Sequence, residues 1–322
     1  MNRVASKKRL KFLEGEFIKS YGGILLGLII ICLIFTILSP RFLNIRNIMN
    51  IILQVSIIAI AAFGMTFALI IGGIDLSVGS TIALVGTVAA FLLTQGLPFL
   101  LVLLLTLAFG AILGLFNGTM ISKLHIPAFI VTVATMSIFR GIAYLITGGI
   151  PIVIQDGVFL ALGNNSFLGI PIPVLVLLGL FIVTGVLLSK TKFGRHAYIT
   201  GGNEEAARFA GIKVSNLKIK IYVITSLMAT VSGILLASRL YSAQPNAASG
   251  YELDAIAASV LGGTSLSGGY GTIFGTLIGA IIIGVINNGM NLVSVPYFYQ
   301  LIVKGLVILV AVYIDVRNKS NR

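Results

Sequence analysis

Acidic residues, histidine and cysteine are all scarce in this 322-residue chain, which carries only 9 Asp and Glu, 2 His and 1 Cys. The single Cys32, set inside an apolar run, excludes an intrachain disulfide and a cysteine-based metal cluster. His125 follows Lys123 just before Pro127, and His196 stands among basic residues. Neither has a second ligand at metal-site spacing, so no metal is expected. No nucleophile elbow or zinc-protease signature occurs, and the phosphate-cradling Gly-x-x-x-x-Gly-Lys-Ser/Thr loop is missing. The chain is therefore not expected to be an enzyme, nor to hydrolyse ATP by that route.

What is present is apolar: 57% of residues are hydrophobic and 10% charged, with a mean hydropathy of +1.08. That exceeds what a soluble domain of this length needs for its core, and it marks an all-α polytopic membrane protein. The formal charge of +13 gathers at the two termini and between Lys190 and Lys220, flanking apolar spans. This is the positive-inside pattern, and no nucleic-acid partner is expected. Glu14 and Glu16 follow the basic N-terminal run, and no small-residue cleavage site closes the first span. A retained anchor is expected.

Six spans precede the central basic segment: Tyr21–Leu38, Ile48–Ile71, Val78–Thr94, Leu97–Ile121, Pro127–Thr147 and Ile170–Ser189. With Arg3, Lys7, Lys8, Arg9 and Lys11 holding the N-terminus inside, this even number returns the basic segment to the cytoplasm. Arg41 and Arg46 dissent from that parity. Beyond the segment, clear spans run Ile219–Leu240, Ile273–Met290 and Tyr297–Ile314, which would strand Arg317, Lys319 and Arg322 outside. A fourth crossing is needed, and Glu252–Leu261 supplies it, started by a Ser249/Glu252 capping box and ended by Gly262-Gly263. Such a helix rises only about 15 Å, so Thr264–Gly271 is expected to cross as irregular backbone, buried in protein or lining a wet cavity. The expectation is about ten transmembrane helices, one of them short and broken, with nine and a re-entrant loop as the alternative. It divides the chain into a cytoplasmic N-terminus at 1–20, one transmembrane domain at 21–315 with a cytoplasmic loop at 190–218, and a cytoplasmic tail at 316–322.

Within that loop, Gly194 and Arg195 lead to Asn203, Glu204, Glu205, Ala206, Ala207, Arg208 and Gly211. Asn203 is an N-cap, the two glutamates occupy the first turn where the helix dipole favours anions, and Gly211 suits a left-handed end. The outcome is a rigid peg, which resembles the coupling helix through which ABC-importer membrane subunits contact their ATPase.

Gly72-Gly73-Ile74-Asp75-Leu76-Ser77-Val78-Gly79 and Gly262-Gly263-Thr264-Ser265-Leu266-Ser267-Gly268-Gly269 share the pattern Gly-Gly-x-x-Leu-Ser-x-Gly. Glycine-interrupted segments in matching positions point to a permeation site, so Gly72, Gly73, Asp75, Ser77, Gly262, Gly263 and Ser265 are candidates for the path. Gln54, Asn117, Asn287, Asn288 and Asn291 are neutral polar groups inside spans. They suit a neutral polyhydroxylated solute better than an ion or a proton relay, and equally they join helices. Lys304 lies about a third of the way along the last span and needs a partner; Glu252 or Asp254 is expected to pair with it, or with Arg140 or Arg239.

Gly72–Ser80, Gly201–Ile212, Ser242–Ser267 and Asn287–Asp315 together resemble the permease subunits of bacterial ribose ABC importers, within the monosaccharide permease family. The similarity runs from about Ser39 to Asp315. It implies a multi-pass protein of the bacterial cell membrane with both termini cytoplasmic, carrying a monosaccharide, ribose foremost. It also implies a second permease copy forming a homodimer, an extracytoplasmic sugar-binding protein and a cytoplasmic ATPase, with ATP and Mg on that partner and no cofactor on this chain. Where that family commonly has Glu-Ala-Ala directly after Asn, this chain has Asn203-Glu204-Glu205-Ala206-Ala207. The competing class is a self-sufficient secondary carrier or facilitator for a small neutral solute, in which the peg has no task.

Overall fold

The structure is a computed structural model that describes residues 21–320. The basic N-terminus at 1–20 and the last two residues lie outside the described residues. From the N-terminal side the helices are α1 (Tyr21–Leu38), α2 (Ile45–Ile70), α3 (Val78–Thr94), α4 (Phe99–Lys123) and α5 (Ala128–Thr147). An ornamented stretch follows, with β1 (Ile152–Val153), α6 (Gly157–Asn164), β2 (Ser166–Phe167) and β3 (Ile170–Pro171). The chain continues through α7 (Ile172–Lys190), α8 (Lys192–Gly202), α9 (Glu204–Phe209) and α10 (Val214–Arg239). It ends with β4 (Ser242–Ala243), α11 (Tyr251–Leu261), α12 (Ile273–Leu292) and α13 (Tyr297–Ser320). Among the described residues the fold is all-α apart from two small antiparallel ribbons, β1 with β4 and β2 with β3.

Among the described residues, seven helices are long and apolar enough to cross a membrane: α1, α2, α4, α5, α7, α10 and α12. Shorter apolar helices are α3 and Tyr297–Tyr313 within α13. Their starts follow local chemistry. Pro98, Pro127 and Pro171 stand in extended conformation just before α4, α5 and α7, where a missing N–H costs nothing. Asn44 and Thr272 cap α2 and α12 by accepting from the backbone N–H groups of Arg46 and Gly275.

Burial separates the helices into two layers. In α2, α10 and α12, 78% of the apolar window is buried inside the protein, against 28% in α4 and α5 and 22% in α7. A helix that is apolar all round belongs at the centre, and α2 is the axis on which α7, α10, α11 and α12 pack. Close approach rests on small residues. On α4, Gly110, Gly114 and Gly118 share one face and lie against Thr230, Val223 and Ile219 of α10. Hydroxyls then bond across: Ser226 Oγ donates to Gly110 O at 2.6 Å, Thr225 Oγ1 to Gly64 O at 2.9 Å, and Ser232 Oγ to Ile57 O at 3.0 Å. Such bonds average about 0.6 kcal/mol between membrane helices, so the packing itself carries most of the association.

The irregular crossing is not where the sequence placed it. The 262–272 loop sits at the same end of the bundle as α8: Gly269 N–H donates to Ile70 O at 2.8 Å, and Tyr198 Oη donates to Gly271 O at 2.6 Å. The ribbon of β1 with β4 closes the opposite end. Residues 244–250 therefore make the irregular traverse, before α11 instead of after it. Arg140 on α5 stabilises this run by donating from Nη1 to the carbonyls of Pro245 and Ala247, both at 2.7 Å. Irregular backbone at depth needs such buried partners. The expected Ser249/Glu252 capping box does not form, because Ser249 Oγ donates to Asn246 O. Gly250, left-handed at φ +86°, starts α11 instead, and Glu252 Oε1 accepts its N–H at 3.2 Å.

Candidate functional site

Three polar assemblies hold the residues singled out in the sequence. The first is a charged seam joining α11, α12 and α13. Asp254, 2% exposed, accepts at Oδ2 from Lys304 Nζ at 3.0 Å and from Asn287 Nδ2 at 3.1 Å. Glu252 forms no ion pair among the described residues; its Oε2 is buried without a hydrogen bond, against Gly79 at the start of α3. Asn288 Nδ2 donates to Asn47 Oδ1 at 3.0 Å, tying α12 to α2 apart from the seam. Gln54 is half-buried on α2 and is not drawn into any of these bonds.

The second assembly lies where the two glycine turns meet. Asp75 Oδ1 accepts from the Ser77 N–H at 2.9 Å and the Ser77 hydroxyl at 2.6 Å, and Asn117 Nδ2 donates to Ser77 Oγ at 2.9 Å. Across the junction, Gly268 packs against Gly72 N and Gly201 O. The Gly269 N–H satisfies Ile70 O, which the end of α2 leaves without a helical donor. The turns thus touch each other and α8, although their shared pattern does not mean shared backbone. Gly72 is left-handed at φ +73° while its counterpart Gly262 has φ −71°, and Gly263 has φ +87°. Gly262 packs on the backbone of Gly275, and Ser265 is buried within its turn. Above the junction, Thr66 Oγ1 meets Ser259 Oγ at 3.1 Å and Thr276 Oγ1 at 2.6 Å, a hydroxyl cluster joining α2, α11 and α12 that sequence reading missed.

The third assembly is the peg. Asn203 caps α9 by accepting from the Ala206 N–H at 2.9 Å, and Gly211 takes the left-handed position at φ +80°. Ala207 is fully buried, whereas Glu205, Ala206, Arg208 and Phe209 face outward, Phe209 being 92% exposed. Gly194 is wedged against the Leu187 and Leu188 carbonyls, and Arg195 is exposed. Glu204 holds two cations at 2.7 Å: Arg208 within the helix and Lys218 at the base of α10. The second contact fastens the peg to a central helix, and its 14-residue spacing around the Gly211 turn hid it from sequence reading.

Partial burial raises the Glu204 carboxyl, but hydrogen bonds and charge from Lys218 and Arg208 outweigh it and hold the group below the ordinary carboxylate range. A depressed folded pKa means that the contact contributes fully above the ordinary value and is lost as pH falls through the depressed one. The protection factors of the α9 amides, exchange rates taken relative to the intrinsic rate at each pH, are therefore expected to stay flat from neutral pH down to the ordinary carboxylate range and to fall below it. Lys218→Ala should shift that fall to higher pH; an unshifted profile would remove the contact from the peg's stability. Tyr198, which anchors α8 on Gly271, has its phenol pushed up to about 12 by burial, so it remains a donor at physiological pH.

Long apolar helices around a glycine-broken polar centre, with a capped charged peg at one end, mark a multi-pass membrane protein. Among the described residues no group of three or more His, Cys, Asp or Glu could hold a metal ion. The model of a family described as branched-chain amino acid transport system / permease component matches residues 47–312. The ribose import permease protein RbsC of Bacillus subtilis (strain 168) is 50% identical over 300 residues, covering 92% of this chain and 93% of that protein. Its namesake from Escherichia coli (strain K12) is 45% identical over 295 residues, covering 90% and 92%. The L-arabinose transport system permease protein AraH of Escherichia coli (strain K12) is 42% identical over 288 residues, covering 89% and 87%. No solved structure matches. The chain belongs to this permease family. It is a transport subunit, not a catalytic enzyme.

Proposed function

We propose that this chain is the membrane subunit of an ATP-driven importer of a monosaccharide, ribose foremost. The observation that carries the reading is the 50% identity, over nine-tenths of both chains, to a ribose import permease. The family's description names branched-chain amino acids, but the relatives described above are named for the pentoses ribose and L-arabinose. Beside the Asp254–Lys304 pair and Asp75, the seam and turns offer amides, hydroxyls and glycine backbone, groups that suit a neutral polyhydroxylated solute.

The complex would comprise two copies of this permease, an extracytoplasmic sugar-binding protein and a cytoplasmic ATPase that carries ATP and Mg. Each copy would cross a bacterial cell membrane about ten times, counting α3, α11 and α13, with both termini cytoplasmic, and residues 21–315 would form one permease domain. The α9 peg is the coupling helix in this reading, with Phe209 as the apolar anchor and Asn203, Glu205, Ala206 and Arg208 around it, because exposed aromatics surrounded by polar groups are favoured docking points. Nucleotide-driven closure of the ATPase pair moves α9. The Glu204–Lys218 contact passes that motion to α10, and the Gly201–Ile70–Gly269 junction passes it to α2 and the α11–α12 loop. The path is assigned to Gln54, Gly72, Gly73, Asp75, Ser77, Gly262, Gly263, Ser265, Asn287 and Asn288, with Asp254–Lys304 as the adjoining charge pair and Glu252 beside it.

The test is uptake of labelled ribose in proteoliposomes holding this chain with its ATPase and binding protein. Uptake is expected only with ATP, and the Glu204→Lys/Glu205→Lys variant should lose at least about tenfold of it, 1.4 kcal/mol of docking being a factor of ten, while inserting normally. Uptake without ATP would move the chain to the class of self-sufficient carriers.

A further inference from the structure

Beneath the peg lies a cleft of about 250 Å³, bounded by the α2–α3 turn at Gly72-Gly73, the α4–α5 turn from His125 to Ala128, and the first turns of α10. Its lining combines the apolar Ile121 and Ile126 with the polar Tyr222, Lys218 and Glu204. Tyr222 is 1% exposed and its hydroxyl has no hydrogen-bond partner, although it lodges against Gly73, where no Cβ intrudes. A buried hydroxyl without a partner is uncommon, and it asks for an occupant.

We propose that this cleft is a cytoplasm-facing binding site for a small polyhydroxylated solute, filled by the transported sugar after release, and that its occupancy restrains the peg. The inference rests on the sugar-import reading above. An apolar lining with a few polar groups is the usual make-up of a ligand site, and the volume falls below the roughly 300–1,000 Å³ of drug-sized pockets. Glu204 and Lys218 already neutralise each other, so the cleft offers a net-neutral rim to its occupant. Sugar hydroxyls both donate and accept, and one molecule can serve the Tyr222 hydroxyl, the ammonium and the carboxylate together while its C–H face lies on the isoleucines. Glu204 belongs to the peg and Tyr222 to α10. A solute bridging them holds α9 in place and slows the cycle as sugar accumulates inside.

The purified permease is titrated with D-ribose while thermal unfolding is followed, with sucrose as the control for general osmolyte stabilisation, which does not saturate. A saturable rise in Tm is expected. Tyr222→Phe removes only the unpaired hydroxyl, so the sugar-free variant should melt no lower than the parent. Its half-maximal ribose concentration should rise about tenfold, the loss of one to two hydrogen bonds. In the complete complex, ribose preloaded on the ATPase side should slow ATP-driven uptake by the parent and do so far less in the variant, each normalised to its own rate without preload. Uptake by the unloaded parent tests the sugar reading separately, and its absence overturns both. Normal uptake with no saturable shift, or with equal shifts in parent and variant, overturns the cleft site alone and leaves a water-filled recess.

Discussion

Lys304→Met is expected to destabilise the protein by about 3–5 kcal/mol, because it leaves a carboxylate buried without its cation. The two partners are unequal. The Asp254 side chain is 3% exposed and the Lys304 side chain 22%. A lysine deprived of its acid keeps a long stem with which to reach a polar boundary, whereas the acid has no such escape. Asp254→Asn should therefore cost less than Lys304→Met, and the Asp254→Asn/Lys304→Met pair should recover most of the loss, since two neutral groups leave no charge stranded. Thermal unfolding of the detergent-solubilised protein, with the amount inserted in membranes as a second reading, gives all three values. If Lys304→Met melts like the parent, the pair does not hold α13 to α11.

Gly201→Ala is expected to uncouple the complex, while Gly202→Ala is expected to be silent. A Cβ on Gly201 would strike Ile70 O and come within 2.6 Å of the Gly269 N–H, two backbone groups that bond to each other. Neither is the tip of a flexible side chain, so relief requires α8 to move off the end of α2. Overpacking of this kind costs about 1–3 kcal/mol. Here it is concentrated on a contact that joins the peg segment to the glycine-turn junction, so ATP-driven uptake should fall by more than the stability loss alone explains. Gly202 is the matched control, because a Cβ there meets nothing within 4 Å and its φ is not positive. Faster exchange of the Gly269 amide in the first variant and not in the second is the structural signature; equal uptake in both variants would remove the junction from the coupling route.

Seven of the apolar spans, the capped helix of the peg and the need for a partner to Lys304 were legible in the sequence because each is a local signal. Apolar length, proline before a helix and an Asn-Glu-Glu start followed by Gly211 are all read within one turn or one span. The same locality misplaced the irregular crossing. Ser249 and Glu252 stand at capping-box spacing, but what stabilises the traverse is Arg140, 105 residues before Pro245. Periodicity cannot show which carbonyls a distant guanidinium will hold. Asp254 and Glu252 were equivalent candidates for Lys304 in the sequence, and helix rotation separates them by turning Glu252 toward Gly79. Tyr222 and Lys218 left no mark because their partners are a glycine turn and a residue beyond the peg's own bend. The repeated glycine pattern identified segments that come together without identifying their backbone, since conformation at each glycine follows the neighbouring helix end.

The acid of the seam has a consequence for how the protein is made. Ribosomes deliver α11 to the membrane before α12 and α13 exist, and Lys304 lies 50 residues downstream of Asp254. With Glu252 and Asp254 in its first turn and only 11 residues in all, α11 is a poor substrate for independent insertion, because it is short and each charged acid weighs against entry into the apolar layer. It is therefore expected to stay at the membrane surface until Asn287 and Lys304 have been synthesised and to enter late, drawn in by its own counter-ion. Nascent chains truncated before residue 304 would leave Asp254 open to aqueous reagents, and the full-length chain would close it off.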